Sequence, residues 1–182
     1  MRMRSSVLVA TAMVFLPGLS SAQEAAPTSA TDLTRAQVQT VLESMGESID
    51  RQLKVVDIGG GNVGVGILHR DSDNDTDGEL RGIIHAQVTE VYYILSGGGT
   101  LLTGGEIIDP TEPSQGSILI GPTFSGRSRN GEIREISAGD IVVIPAGVLH
   151  AWTLIPDEVT YLSVRVDPHL ALPAGYVNPE IR

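Results

Sequence analysis

The chain has 182 residues, a formal net charge of −10, no cysteine and 41% apolar residues. That length and apolar fraction suit one domain with a core of its own, and the absence of cysteine excludes disulfide staples and thiolate chemistry. The acidity argues against nucleic acid or anionic lipid as a partner and leaves small molecules as the expected ligands.

Residues 1–22 read as a secretory signal peptide: Arg2 and Arg4 precede the apolar run Val7 to Leu16, and Ser20, Ser21 and Ala22 form a small-residue cleavage site. The run is shorter than the roughly 20 apolar residues that a transmembrane helix needs, so the expected product is exported, to periplasm or medium, without membrane insertion. Residues 23–33 are small and polar and read as a flexible linker. A short helix is expected over 34–46. Thr34 and Gln37 make a capping box, Val38, Val41, Leu42 and Met45 follow the helical period, and Gly46 supplies the stop.

Beyond residue 46 the helical period is gone. Ten short β-rich runs follow between turn residues: LKVVDI, VGVGILH, GIIHAQV, EVYYIL, GTLLT, SILI, EIREI, DIVVIP, HAWTLI and VTYLSVRV. Strands at this spacing, with no helices to make parallel crossovers, indicate an all-β antiparallel sandwich or barrel over 47–167. The proline-rich segment 168–182 is expected as a tail packed on the barrel.

Several motifs have bland readings. Gly59, Gly61 and Gly64 satisfy the dinucleotide-turn pattern, but Val63, Val65 and Ile67 continue as strand where that motif needs a helix. Asp73, Asp75, Asp77 and Gly78 imitate a calcium loop whose twelfth position, Ile84, lacks the required glutamate. No serine sits in a nucleophile elbow, because Thr123 replaces the first glycine in PTFSGRS. Arg127, Arg129, Arg134 and Arg165 read as solvated or surface-paired.

His85 and Glu90 are harder to dismiss, since both open an apolar run and both are unfavourable to bury unpaired. Alternation puts Ile83 and His85 on one face, and Glu90, Tyr92 and Ile94 on one face of the next strand. A hairpin through the residues AQVT is expected to bring His85 beside Glu90. His150 follows the turn PAG and shares a face with Trp152 and Leu154. Two imidazoles and one carboxylate that converge suit a divalent first-row transition metal with open positions.

At these residues the chain resembles the cupins, small jelly-roll β-barrels. Their first motif pairs His-x-His with a later Glu and Gly, and here Ile83, His85, Glu90 and Gly97 take those places. Their second motif is matched in full spacing by Gly139, Pro145, Gly147 and His150. The resemblance implies a single jelly-roll barrel preceded by the short helix, a metal (Fe, Mn, Ni or Zn) on His85, Glu90 and His150, and a pocket lined by Ile83, Gln87, Tyr92 and Trp152. It further implies a homodimer, and a metal-dependent enzyme, a dioxygenase or a lyase or isomerase, acting on a small oxygenated molecule. A non-enzymatic exported ligand binder is the alternative. Ile83 stands where many cupins carry a further histidine, and Gln87 and His69 are the conceivable substitutes.

Overall fold

A computed structural model describes residues 28–74, 80–114 and 119–182. The expected signal peptide lies outside the described residues, as does the start of the linker. Helix α1 (Arg35–Glu43) begins as its sequence requires: the Thr34 hydroxyl accepts from the Gln37 N–H at 3.2 Å, and the Gln37 carboxamide accepts from the Thr34 N–H at 3.1 Å. It stops short of residue 46, because the Ser44 hydroxyl bonds back to the Val41 carbonyl at 2.8 Å, and Gly46 (φ 57°) belongs to the turn beyond. Val41 and Met45 pack on Leu53 and Ile67.

Nine strands lie among the described residues: β1 (Asp50–Asp57), β2 (Asn62–Asn74), β3 (Arg81–His85), β4 (Thr89–Thr103), β5 (Glu106–Ile108), β6 (Thr123–Arg129), β7 (Glu132–Ser137), β8 (Ile141–Ile144) and β9 (His150–Asp167). All pairings are antiparallel and join the nine strands into one sheet, which curls into a barrel. One path runs β1-β2-β9-β3-β6-β5, while β4 joins β9 to β7 and β8. The long strands β4 and β9 account for much of the difference from ten expected runs. EVYYIL and GTLLT fuse into β4, and HAWTLI and VTYLSVRV fuse into β9, with register shifts between Ile94 and Leu101 bending the sheet where breaks were expected. Two strands were not foreseen: β5 is only three residues long (EII), and β6 lies in the polar segment TFSGRSR. In SILI, Leu119 and Ile120 lie in a turn and the first two residues are outside the described set. Asp71 to Asn74 extend β2, and the rest of the aspartate-rich run is likewise outside it.

The core cluster gathers Leu68, Tyr92, Ile94, Leu101, Ile144, Ile155, Val159 and Tyr161. The sheet register sets a different row beside it. Gly64 pairs with Arg165, Arg165 with Glu90 and Glu90 with Ile144, so these four positions cross β2, β9, β4 and β8 side by side. Residues 168–182 end in a 3₁₀ turn, Pro179–Ile181, and lie against β1: Asn178 donates to the Gln52 carbonyl at 2.8 Å, and Lys54 bridges Val177.

Candidate metal centre

His85 ends β3 and His150 begins β9, and His150 is the cross-strand neighbour of Ile83. The expected β3–β4 hairpin is absent. These strands do not pair; the chain turns a corner from β3 to β4, with Val88 buried under Val55 and Leu172 and the Ala86 N–H bonded to the Pro122 carbonyl. His85 and Glu90 therefore meet across the barrel interior instead of along a ladder. The Gly147 N–H donates to the His85 carbonyl at 2.9 Å, which ties the PAG turn before His150 to the other histidine.

His85 Nε2 is 3.1 Å from Glu90 Oε2 and His150 Nε2 is 3.5 Å from the same oxygen. One donor atom from each of the three residues lies within 4.8 Å of the others, and all three side chains are buried. The hydrogen bonds behind the rings fix their tautomers. The Thr123 hydroxyl donates to the Gly121 carbonyl (3.1 Å), so it accepts from His85 Nδ1–H at 2.9 Å. His150 Nδ1 faces the Val148 carbonyl at 3.2 Å, which can only accept. A neutral ring so bonded carries its proton on Nδ1 and turns an Nε2 lone pair inward, the form a metal needs. His150 Nε2 is moreover buried without a hydrogen-bond partner, a state that proteins rarely leave uncompensated.

Glu90 is divided between two environments. Its Oε1 accepts from the Ser163 hydroxyl at 2.7 Å and from Arg165 Nε at 3.2 Å, whereas Oε2 accepts from the Tyr92 hydroxyl at 2.9 Å and faces the imidazoles. Burial alone would raise its carboxyl, but the neighbouring imidazoles and the Arg165 guanidinium outweigh burial and hold it well below the usual carboxylate range. Burial, reinforced by the charge on Glu90, pushes the Tyr92 hydroxyl well above its ordinary value, so it stays a donor.

Of the expected pocket residues, Tyr92 contacts the site directly. Trp152 is half-buried one layer away, its indole N–H on the Tyr161 hydroxyl at 3.3 Å. Ile83 and Gln87 are half-buried, and Leu154, expected on the inward face with His150, is exposed. His69 does not replace the fourth ligand: its Nδ1 bonds Thr160 at 2.8 Å and its Nε2 faces Asp71, so it is engaged outside the cluster. Arg127, Arg129 and Arg134 form ion pairs with Asp109, Glu106 and Glu132. Arg165 is the correction. Read as a surface arginine, it is fully buried and bonds Glu90, Gln52 and Asp50. Ser163 and Thr123 were also missed.

No family model and no curated protein matches the chain. Among solved structures, one from Bacillus halodurans is 15% identical, with a TM-score of 0.48 over 84% of this chain and 92% of its own. A cupin protein from Bacteroides fragilis is 22% identical, with a TM-score of 0.35 over 63% of this chain and 72% of its own. The DMSP lyase of Ruegeria pomeroyi is 16% identical at a TM-score of 0.41, covering 71% of this chain, which spans 50% of the lyase. With scores this low, the likenesses carry no argument, and the antiparallel barrel rests on the strand pairing.

Proposed function

We propose that this chain is an exported metal-dependent enzyme in which His85, Glu90 and His150 hold one divalent first-row transition metal, Fe, Mn, Ni or Zn, for chemistry on a small oxygenated organic molecule. The observation that carries the reading is His150 Nε2, a buried lone pair without a partner, aimed with His85 Nε2 at one carboxylate oxygen. Bound there, such a metal supplies Lewis acidity toward a carbonyl or enediol oxygen, or an attachment point for O₂.

The chain's own residues do the rest. Thr123 and the Val148 carbonyl hold the Nδ1 protons and so keep both rings aimed inward. Tyr92 keeps its proton and can transfer its hydrogen bond from Glu90 to a substrate oxygen. Trp152 and Tyr161, with ring centroids 5.8 Å apart, wall the apolar side. The reaction class follows from oxygen: O₂ uptake by protein loaded in turn with each metal identifies a dioxygenase, and turnover without O₂ identifies a lyase or isomerase.

A second reading, a non-enzymatic ligand binder, is favoured by one observation: His85, Glu90 and His150 are only 2–3% exposed. A tight ligand bound without turnover supports it. Export is tested by recovering a mature chain that begins at Gln23 outside the cytoplasm. Pairing into a homodimer is consistent with the apolar outer face, where Tyr93, Ile141 and Val143 are exposed on adjoining strands. Light scattering that gives the mass of one chain contradicts it. Among the described residues no helix is long and apolar enough to cross a membrane.

A further inference from the structure

We infer that Arg165 is a positioning residue for the metal site, which with Ser163 engages one oxygen of Glu90 and presents the other alone to the metal. The inference rests on the metal reading above. Two independent features support it. The first is the bonding. Arg165 Nε and the Ser163 hydroxyl converge on Oε1 at 3.2 and 2.7 Å, while Oε2 faces both imidazoles. The guanidinium is anchored in turn by the Gln52 carboxamide and by Asp50, the latter at 2.6 Å, so its orientation does not depend on Glu90 alone.

The second is the space made for it. A methyl group at Gly66 would lie 2.7 Å from Arg165 Nη1 and 3.0 Å from Cζ, and one at Gly64 would lie 2.4 Å from Gln52 Nε2. Neither glycine adopts a positive φ; they are needed for volume. The alternating glycines of NVGVG, which imitate part of a nucleotide turn, are thus the wall of a slot for Arg165 and its anchor. Because Gly64 and Arg165, then Arg165 and Glu90, are register partners, the slot, the guanidinium and the carboxylate occupy adjacent strands. A purely structural ion pair would have no need to leave Oε2 to the imidazoles; here each carboxylate oxygen has its own set of partners.

The test is equilibrium titration of the full-length, chelator-treated protein with Co²⁺, followed by visible absorption, which reports both affinity and coordination geometry. The parent should bind one Co²⁺ per chain. Ser163→Ala, Arg165→Lys and the charge-balanced pair Arg165→Met with Asp50→Asn should each weaken binding by about tenfold to a hundredfold and alter the absorption, as Glu90 becomes free to turn or to offer both oxygens. Arg165→Lys, which keeps the charge without the fork, should be the mildest of the arginine changes. Gly66→Ala retains every polar group and crowds only the guanidinium, so it decides the matter even where the arginine variants do not fold. Parent binding with unchanged affinity and absorption in folded Gly66→Ala and Ser163→Ala would overturn the positioning role and leave the metal site standing. A parent that binds no Co²⁺ overturns the metal reading, and this inference with it.

Discussion

The two sides of the site are built differently. Glu90 sits in the middle of the sheet and is held by charge: Arg165 beside it, Ser163 and Tyr92 on its oxygens, and Asp50 and Gln52 behind the arginine. His85 and His150 sit at strand ends, each held by one neutral hydrogen bond through Nδ1. A buried ion pair stripped of one partner destabilises a fold strongly, whereas a neutral bond contributes about 1 kcal/mol. The carboxylate side therefore belongs to folding as well as to metal binding, and the imidazole side mainly to metal binding.

The largest effect should separate the two sides in the metal-free protein. Arg165→Met leaves Glu90 and Asp50 buried without their counter-charge and should reduce stability by about 3–5 kcal/mol, read from urea unfolding; Glu90→Ala, which leaves Arg165 its bond to Asp50, should lose less. His150→Ala should reduce it by no more than about 2 kcal/mol, since no charge pair is broken. Equal losses for His150→Ala and Arg165→Met would erase the distinction.

Acid should act through the same carboxylate. Because the folded Glu90 carboxyl is depressed, its contribution is complete above the unfolded value of about 4.3 and is lost as pH falls through the lower folded value. Asp50 works in the opposite sense: burial, only partly offset by Arg165, raises its carboxyl. The larger displacement belongs to Glu90. The metal-free parent should therefore lose more stability between pH 7 and about pH 3.5 than Glu90→Gln does; identical acid profiles would remove Glu90 from the explanation.

Smaller changes address the imidazole side. Thr123→Val removes the acceptor behind His85 and should weaken metal binding by about tenfold while costing about 1 kcal/mol of stability. Ile83→His adds a ring beside His150, its register partner. Metal retention should rise and turnover fall as the added ligand takes a position meant for substrate. Higher retention with no turnover before or after the change indicates the binder instead.

Much of this was legible in the sequence, and the parts that were not share a cause. The capping box, the barrel class and the His85, Glu90 and His150 positions follow from local pattern and spacing. Arg165 does not, because β9 inverts the usual alternation. Tyr161, Ser163, Arg165 and Asp167 are fully buried, while Val166 is exposed and Leu162 packs toward α1. Read by hydrophobicity alone, such a strand places its arginine in water. The one local clue was across the sheet, in glycines at alternate positions of β2, whose role as vacant volume appears only once β2 lies beside β9. The β3–β4 corner failed for a related reason: a short connector reads as a hairpin unless the distant partners of both strands, β6 and β9 for one and β7, β8 and β9 for the other, are known.

The most direct measurement is the metal content of folded parent and His150→Ala protein, each stripped, exposed to equal divalent metal and freed of excess. Stoichiometric metal in the parent and almost none in His150→Ala is the expected result, since two remaining donors are too few for a tight site. Equal metal in both would place binding elsewhere, and His85, Glu90 and His150 would then be a buried polar cluster of the barrel and nothing more.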